Sequence, residues 1–288
     1  MGFFKNLFSK QACALCGKEC GVMSRTKLKD DQYICDDCGN KCSKYVRLSR
    51  MTLDEVRGHI AYMERQQKLY EEQFSNAKRL AFHPNVNGSG IEFCDELGMF
   101  RIFDENVRGR GKMKELFRYD QVDSYEEYYN ETKGENEDDQ PEFDEGGLII
   151  RLVGTKTELT NRNPALRPHP YIQDEIRICF SNRERREAEY AHNAKQHFDC
   201  IFGVHDDQKG LFCFGRTKAE KRDEQSDIAM AQAFGTVFQA TKKGGTGITE
   251  DVVAKMQDSM NKVNDANSGG LSVYSRRADE AEAKASPQ

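Results

Sequence analysis

Six of the chain's ten cysteines lie in two near-copies of one phrase, CALCGKEC at 13–20 and CDDCGNKC at 35–42, each spaced C-x2-C-x3-C. A tetrahedral thiolate site uses four sulfurs. Cys13, Cys16, Cys35 and Cys38 run C-x2-C-x18-C-x2-C, the spacing of a zinc ribbon, and are the expected ligands of one structural Zn2+. Closing all four positions leaves none open for substrate or water, as a catalytic zinc would. Glycine follows each pair, Gly17 and Gly39, and permits a left-handed turn after the second sulfur. Cys20 and Cys42 fall one helical turn beyond Cys16 and Cys38, where a small apolar side chain would plug the base of the ribbon. The spacing between second and third cysteines is wrong for a fungal-type two-zinc cluster, and the order of spacings is the reverse of the radical-enzyme iron-sulfur motif. A redox role lacks the strand-CxxC-helix context.

The other chemistry-bearing residues are cationic or apolar. RGRGKMK, 108–114, sets Arg108, Arg110, Lys112 and Lys114 at alternating positions with two glycines; such a turn between strands can hold an anionic headgroup, although a solvated hairpin tip is the plainer reading. Arg25, Lys27 and Lys29 lie between the knuckles, where a ribbon can present them to phosphates. In the first ten residues Phe3, Phe4, Leu7 and Phe8 share one side of a short helix, a foot for this protein's own core, a partner or a membrane surface. Gly2 begins a myristoylation pattern that Asn6 leaves incomplete. The six histidines form no HExxH, and GRGK and KKGGTGIT lack the ending of a phosphate loop. Cys94, Cys179, Cys200 and Cys213 occur singly, as packing thiols do. No nucleophilic triad can be assembled, so no enzyme and no small-molecule substrate are expected.

The chain has 288 residues, of which 37% are hydrophobic, lean for one large core and suited to a modest folded centre with extensions. Net charge is only -5, but residues 1–50 carry ten Lys/Arg against five Asp/Glu, and 120–145 carry twelve acids and one lysine. No secretory signal or membrane-length apolar run is visible. Ten cysteines without an export signal imply a reducing compartment, the cytoplasm, with a peripheral position at the inner membrane face open to the apolar foot.

These sites need elements to position them. After the ribbon, 11–45, Thr52 and Glu55 form a capping box, with Met51 stapled to Val56, opening a connecting helix over 51–78 whose stripe is Leu53, Val56, Ile60, Met63 and Leu69. From 79 to 205 short apolar runs are punctuated by turn residues, predicting strands at Leu80–Phe82, Ile91–Cys94, Met99–Phe103, Leu116–Tyr119, Val122–Tyr129, Gly147–Val153 and Glu175–Phe180. An acidic loop, 130–146, interrupts them and is expected to be disordered. An amphipathic helix with Ala188, Ala191, Ala194, Phe198, Ile201 and Phe202 on one face follows and could close the meander. The tail, 206–288, offers an apolar helix at 228–240 and a second from Thr249; its last twenty or so residues show no apolar period, which predicts disorder. The class is α+β: ribbon, connecting helix, and an antiparallel meander closed by a helix, which resembles the pleckstrin-homology-like or GRAM-like architecture.

CALCGKECGVMSRTKLKDDQYICDDCGNKC resembles the family catalogued as domain of unknown function 4428, found mostly in bacteria. Arg25, Lys27, Leu28, Lys29, Asp30, Tyr33 and Ile34 fit its pattern, while Gln32 stands where that family often has glycine. The positions of Cys20 and Cys42 are usually aliphatic there, which implies packing. HPYIQDEIRICFSN, from His169, is similar to a strand motif late in these proteins, extending the resemblance over most of 11–205. The family has no established activity. The expected function is therefore a zinc-binding adaptor whose β domain meets an unidentified protein or an anionic membrane surface, with nucleic-acid binding by the basic ribbon as the alternative.

Overall fold

The computed structural model describes residues 10–83, 89–104, 112–132, 142–154, 163–171, 175–182, 184–207, 217–242 and 249–285. Phe3, Phe4, Leu7, Phe8, Arg108, Arg110 and Cys213 lie outside them.

The ribbon consists of two small hairpins and one helical turn. β1 (Gln11–Ala12) pairs with β2 (Glu19–Cys20), and β3 (Arg25–Lys27) pairs with β4 (Tyr33–Cys35), which runs into α1 (Asp36–Gly39). Leu28, Ile34, Val46 and Leu48 make its apolar floor, shared with Met51 and Val56. The next helix, α2 (Leu53–Glu72), opens on the expected capping box: the Glu55 amide donates to Thr52 Oγ1 at 3.3 Å, and the Thr52 amide donates to Glu55 Oε2 at 2.7 Å. It ends at Glu72, and a 3-10 turn over Phe74–Asn76 finishes the predicted span.

β5 (Leu80–Phe82), β6 (Ser89–Cys94), β7 (Met99–Asp104) and β8 (Phe117–Arg118) form one antiparallel sheet in sequence order. β9 (Val122–Thr132), β10 (Glu142–Leu152) and β11 (Ile176–Ser181) form a second, in the order β11-β10-β9. Period-two alternation sends Ile91, Phe93, Leu148, Ile150, Ile178 and Phe180 into one core. After α3 (Arg185–Ala188), α4 (Tyr190–Ile201) covers that core with Ala191, Ala194, Phe198 and Ile201. All seven strands occur where the short apolar runs placed them, but β9 and β10 are longer. Residues 130–132 and 142–146, expected within the acidic loop, are paired strand. Their charges lie outward on a hairpin whose backbone is satisfied by its ladder, and Arg185 and Arg177 neutralise Glu131 and Glu145.

The C-terminal region departs most from expectation. α5 (Lys218–Lys242) and α6 (Glu250–Asn267) pack together, leaving Ile228 and Phe234 exposed. α7 (Leu271–Ala285), in the stretch expected to be disordered, is docked on the body of the protein. Leu271 enters the sheet core, and Ala278, Ala281 and Ala285 pack with Leu69, Phe74, Cys94 and Met99. The side chains of Gln73 and Lys68 donate to the carbonyls of Ala281 and Ala285 at 2.8 and 3.1 Å, satisfying the end of α7.

Gly98, in the β6–β7 turn, shows how close the docking is. Its φ is +63°, and a Cβ there would meet the Tyr274 carbonyl oxygen at 2.2 Å. Gly98→Ala is expected to add the left-handed penalty, about 1–2 kcal/mol, to that overlap and to push α7 away. Hydrogen exchange should then show lost protection over 271–285 with the sheet strands unchanged; retained protection would mean that the turn can yield.

Candidate metal centre and its anchorage

Two elements aim the four sulfurs. The first knuckle closes through the Gly17 amide donating to the Cys13 carbonyl at 2.8 Å, with Gly17 at φ +75°. The second differs from expectation: Cys35 is the N-cap of α1, and Gly39 is its last helical residue rather than a left-handed turn. A Cβ there would sit 3.3 Å from Leu48 Cδ1, a tight contact that a small shift of the leucine would relieve. Ala14 donates to the Tyr33 carbonyl at 2.8 Å and so ties the first knuckle to β4 beside the second.

The Sγ atoms of Cys13, Cys16, Cys35 and Cys38 all lie within 4.8 Å of one another. Cys13 and Cys38 sulfurs are 3.8 Å apart, and those of Cys16 and Cys35 are 3.7 Å apart. Both are far beyond a disulfide bond. They match the edge of a tetrahedron with metal–sulfur bonds of about 2.3 Å, whose corners are about 3.8 Å apart. Cys13, Cys35 and Cys38 are buried and Cys16 is exposed, so the cage meets solvent at one corner.

The electrostatics suit a cation. Burial pushes the Cys13 thiol up, but the amides of Cys35, Cys16 and Leu15 outweigh it and bring it down to about 6. Burial and the neighbouring sulfurs push Cys38 well up, and burial raises Cys35 against the Cys38 amide. The site stabilises one thiolate while that charge opposes the next, and a divalent metal removes the conflict. Cys20 and Cys42 are buried in the apolar floor, outside the four-sulfur group, and the Cys20 thiol donates to the Gln11 carbonyl at 3.1 Å.

The basic loop proves to be an anchor. The Lys29 amide donates to the Met51 carbonyl at 2.9 Å, and the Leu53 amide donates to Asp30 Oδ2 at 2.9 Å, so the ribbon supplies a second cap to α2. Arg25 lies over the Tyr33 ring at 4.7 Å and Lys27 pairs with Asp31 at 2.5 Å, while the Lys29 side chain is exposed. Of the basic turn, the described residues include Lys112, exposed, and Lys114, whose amide donates to Gln67 Oε1 at 2.7 Å.

Residues 11–59 match the family model described as Domain of unknown function (DUF4428). The match covers the ribbon and the first turns of α2, a narrower span than the resemblance implied. No curated protein matches the chain, and no solved structure does. The matched segment ends at His59, which with Ser43 and Tyr45 meets the β domain. His59 Nε2 accepts from the Ser43 amide at 3.1 Å, and its ring stands edge-on to Tyr171, 4.4 Å between centroids. Tyr171 belongs to the His169-Pro170-Tyr171 motif, whose histidine Nε2 is 3.2 Å from the Tyr62 hydroxyl. α2 is thus clamped between the ribbon and the sheets. Alongside Val56, Met63 and Leu69 it buries His59, Tyr62 and Gln66, which a search for aliphatic stripes counts as polar.

Burial holds His169 down to about 4 from its ordinary 6.5, against a smaller opposing effect of the Tyr171 carbonyl. Between those values the unfolded chain takes up a proton that the folded chain excludes. Stability from this group is therefore complete above pH 6.5 and falls as pH drops towards 4, by on the order of 3 kcal/mol in all. Urea unfolding across this window should show a shallower pH slope for His169→Gln than for the parent chain; equal slopes would assign the acid sensitivity to carboxylates.

Proposed function

We propose that this protein is a non-enzymatic zinc-binding adaptor or scaffold, cytoplasmic, whose β domain engages a protein or an anionic lipid surface. The observation that carries the reading is the closed cage: four cysteines take every position of a tetrahedral ion, and the cage is stitched to α2 through Lys29 and Asp30. That arrangement suits a rigid structural element. Softness of the donors and tetrahedral spacing favour Zn2+. Four strands in one sheet, three in the next and α4 across the core support a pleckstrin-homology-like reading of the β domain, and the basic 108–114 turn is the proposed contact surface. Among the described residues no helix is long and apolar enough to cross a membrane, which fits peripheral contact. Nucleic-acid binding by the ribbon ranks second, because Lys27 and Arg25 are already engaged within it.

Vesicle flotation and affinity purification, with and without Arg108, Arg110, Lys112 and Lys114 changed to alanine, test the reading. Retention on phosphatidylserine vesicles, or a saturable protein partner, should be lost in the quadruple variant. Binding to DNA or RNA that weakens steeply with salt, with no vesicle or protein partner, would replace it with the alternative.

A further inference from the structure

A cleft of about 360 Å³ lies between α2, the turn after β8, the 167–170 segment and α7. Its size falls within the roughly 300–1,000 Å³ usual for small-molecule sites. Tyr62, Leu69, Leu116, Pro168 and Pro170 give it apolar walls, and Arg65, Arg118 and Arg167 face it against a single carboxylate, Glu282. Two of these cations are fixed from behind: Arg118 is bidentate to Asp120, and Arg167 pairs with Asp279 at 2.7 Å. Arg65, exposed at the rim, forms no ion pair among the described residues. Beside it Gln66 is only 6% exposed, lines the cleft, and has no hydrogen-bond partner for Oε1 among the described residues. An unsatisfied buried amide costs about 1–3 kcal/mol. Such a group lining a cavity marks a place that something else completes.

We propose that this cleft binds a small organic anion, a carboxylate or phosphate on a flat apolar body, with its charge at Arg65 and an N–H or O–H donor at Gln66 Oε1. The apolar walls select for the body, and Arg65 selects for the sign, since Arg118 and Arg167 are balanced by Asp120, Asp279 and Glu282. Glu282 and Ala285 come from α7 and Arg65 and Gln66 from α2, so a bound anion would bridge the two helices and hold the C-terminal helix down. The site is separate from the four-sulfur cage, and its test is distinct from that of the adaptor reading.

Isothermal titration of the full metal-loaded chain with indole-3-acetate and with indoxyl phosphate, both of which carry an indole N–H, tests it, with tryptamine and inorganic phosphate as controls. At least one aromatic anion should bind at one per chain, and which one does so names the headgroup; neither control should match it. Arg65→Gln, at an exposed position that leaves the fold intact by circular dichroism, should weaken binding roughly tenfold, as expected for one charge-assisted hydrogen bond. Gln66→Leu should weaken it further, and the bound anion should slow hydrogen exchange over 271–285. Failure of both aromatic anions, equal binding by either control, or unchanged affinity in Arg65→Gln would overturn the proposal.

Discussion

Cys16→Ser, or removal of the metal by a strong chelator, is expected to unfold residues 11–51 while leaving the two sheets standing. The ribbon's strands are two or three residues long, too short for ladders to hold them. Its apolar floor is a handful of side chains, two of them cysteines outside the cage. For a segment of this kind the metal supplies most of the folding free energy, apparent values for structural zinc being about 10–16 kcal/mol. Cys16 is the exposed corner, so its replacement disturbs the ligand set without cutting into the core.

The consequences spread in one direction. Loss of the ribbon deprives α2 of the Asp30 cap and of the Met51–Val56 contact, but the Thr52–Glu55 box and the Tyr171–His59 clamp remain on the helix. Calorimetry should therefore show two transitions, the metal-dependent one disappearing in Cys16→Ser. Native mass spectrometry should find one zinc per parent chain and none in the variant. Cys20→Ala and Cys42→Leu should both keep the ion. Two ions per parent chain, or loss of the ion from either control, would mean that the trailing cysteines are ligands.

How much of this was legible follows from what each element depends on. The cage was readable because ligand spacing is local: each knuckle is four residues, and a ribbon needs only a second copy. The strands were readable because burying one face of a sheet writes a period of two into Ile91 and Phe93, or Leu148 and Ile150. α7 was not, because its buried stripe is Leu271, Ser275, Ala278, Ala281 and Ala285. Alanine and serine carry little hydrophobic signal, and their role is to let the helix come close to Gly98 and Cys94, about 180 residues earlier in the chain. The face of α2 was half visible for a related reason, since Tyr62, His59 and Gln66 bury apolar bodies behind polar names. The cleft gathers Arg65, Arg118, Arg167 and Glu282 from four separate segments, and no spacing rule joins them.

Asp120→Ala is expected to cost about 3–5 kcal/mol. Asp120 is 1% exposed. Its carboxylate accepts from Arg118 Nε and Nη2 at 2.9 and 2.8 Å and from the Ser275 hydroxyl of α7, with Arg167 Nε at 3.6 Å. Arg118 turns its remaining nitrogen to Asp279 and Glu282 of α7, at 2.8 and 2.9 Å, and burial would disfavour its charge were those carboxylates absent. Removing Asp120 leaves the Ser275 hydroxyl unpaired and a guanidinium facing a small cavity, whereas an exposed pair such as Lys255–Asp251 would cost at most about 1 kcal/mol. Because the partners sit on α7, the loss should appear first as undocking of 271–285 in hydrogen exchange, then as a fall in the main melting transition. Double-mutant cycles distinguish a network from a collection of pairs: Asp120→Ala with Arg118→Met should be less destabilising than the sum of the two single changes, since the second removes the guanidinium whose Nε and Nη2 the first leaves without their carboxylate. Strict additivity, or a single-variant loss near 1 kcal/mol, would show that the Asp120 network does not hold α7.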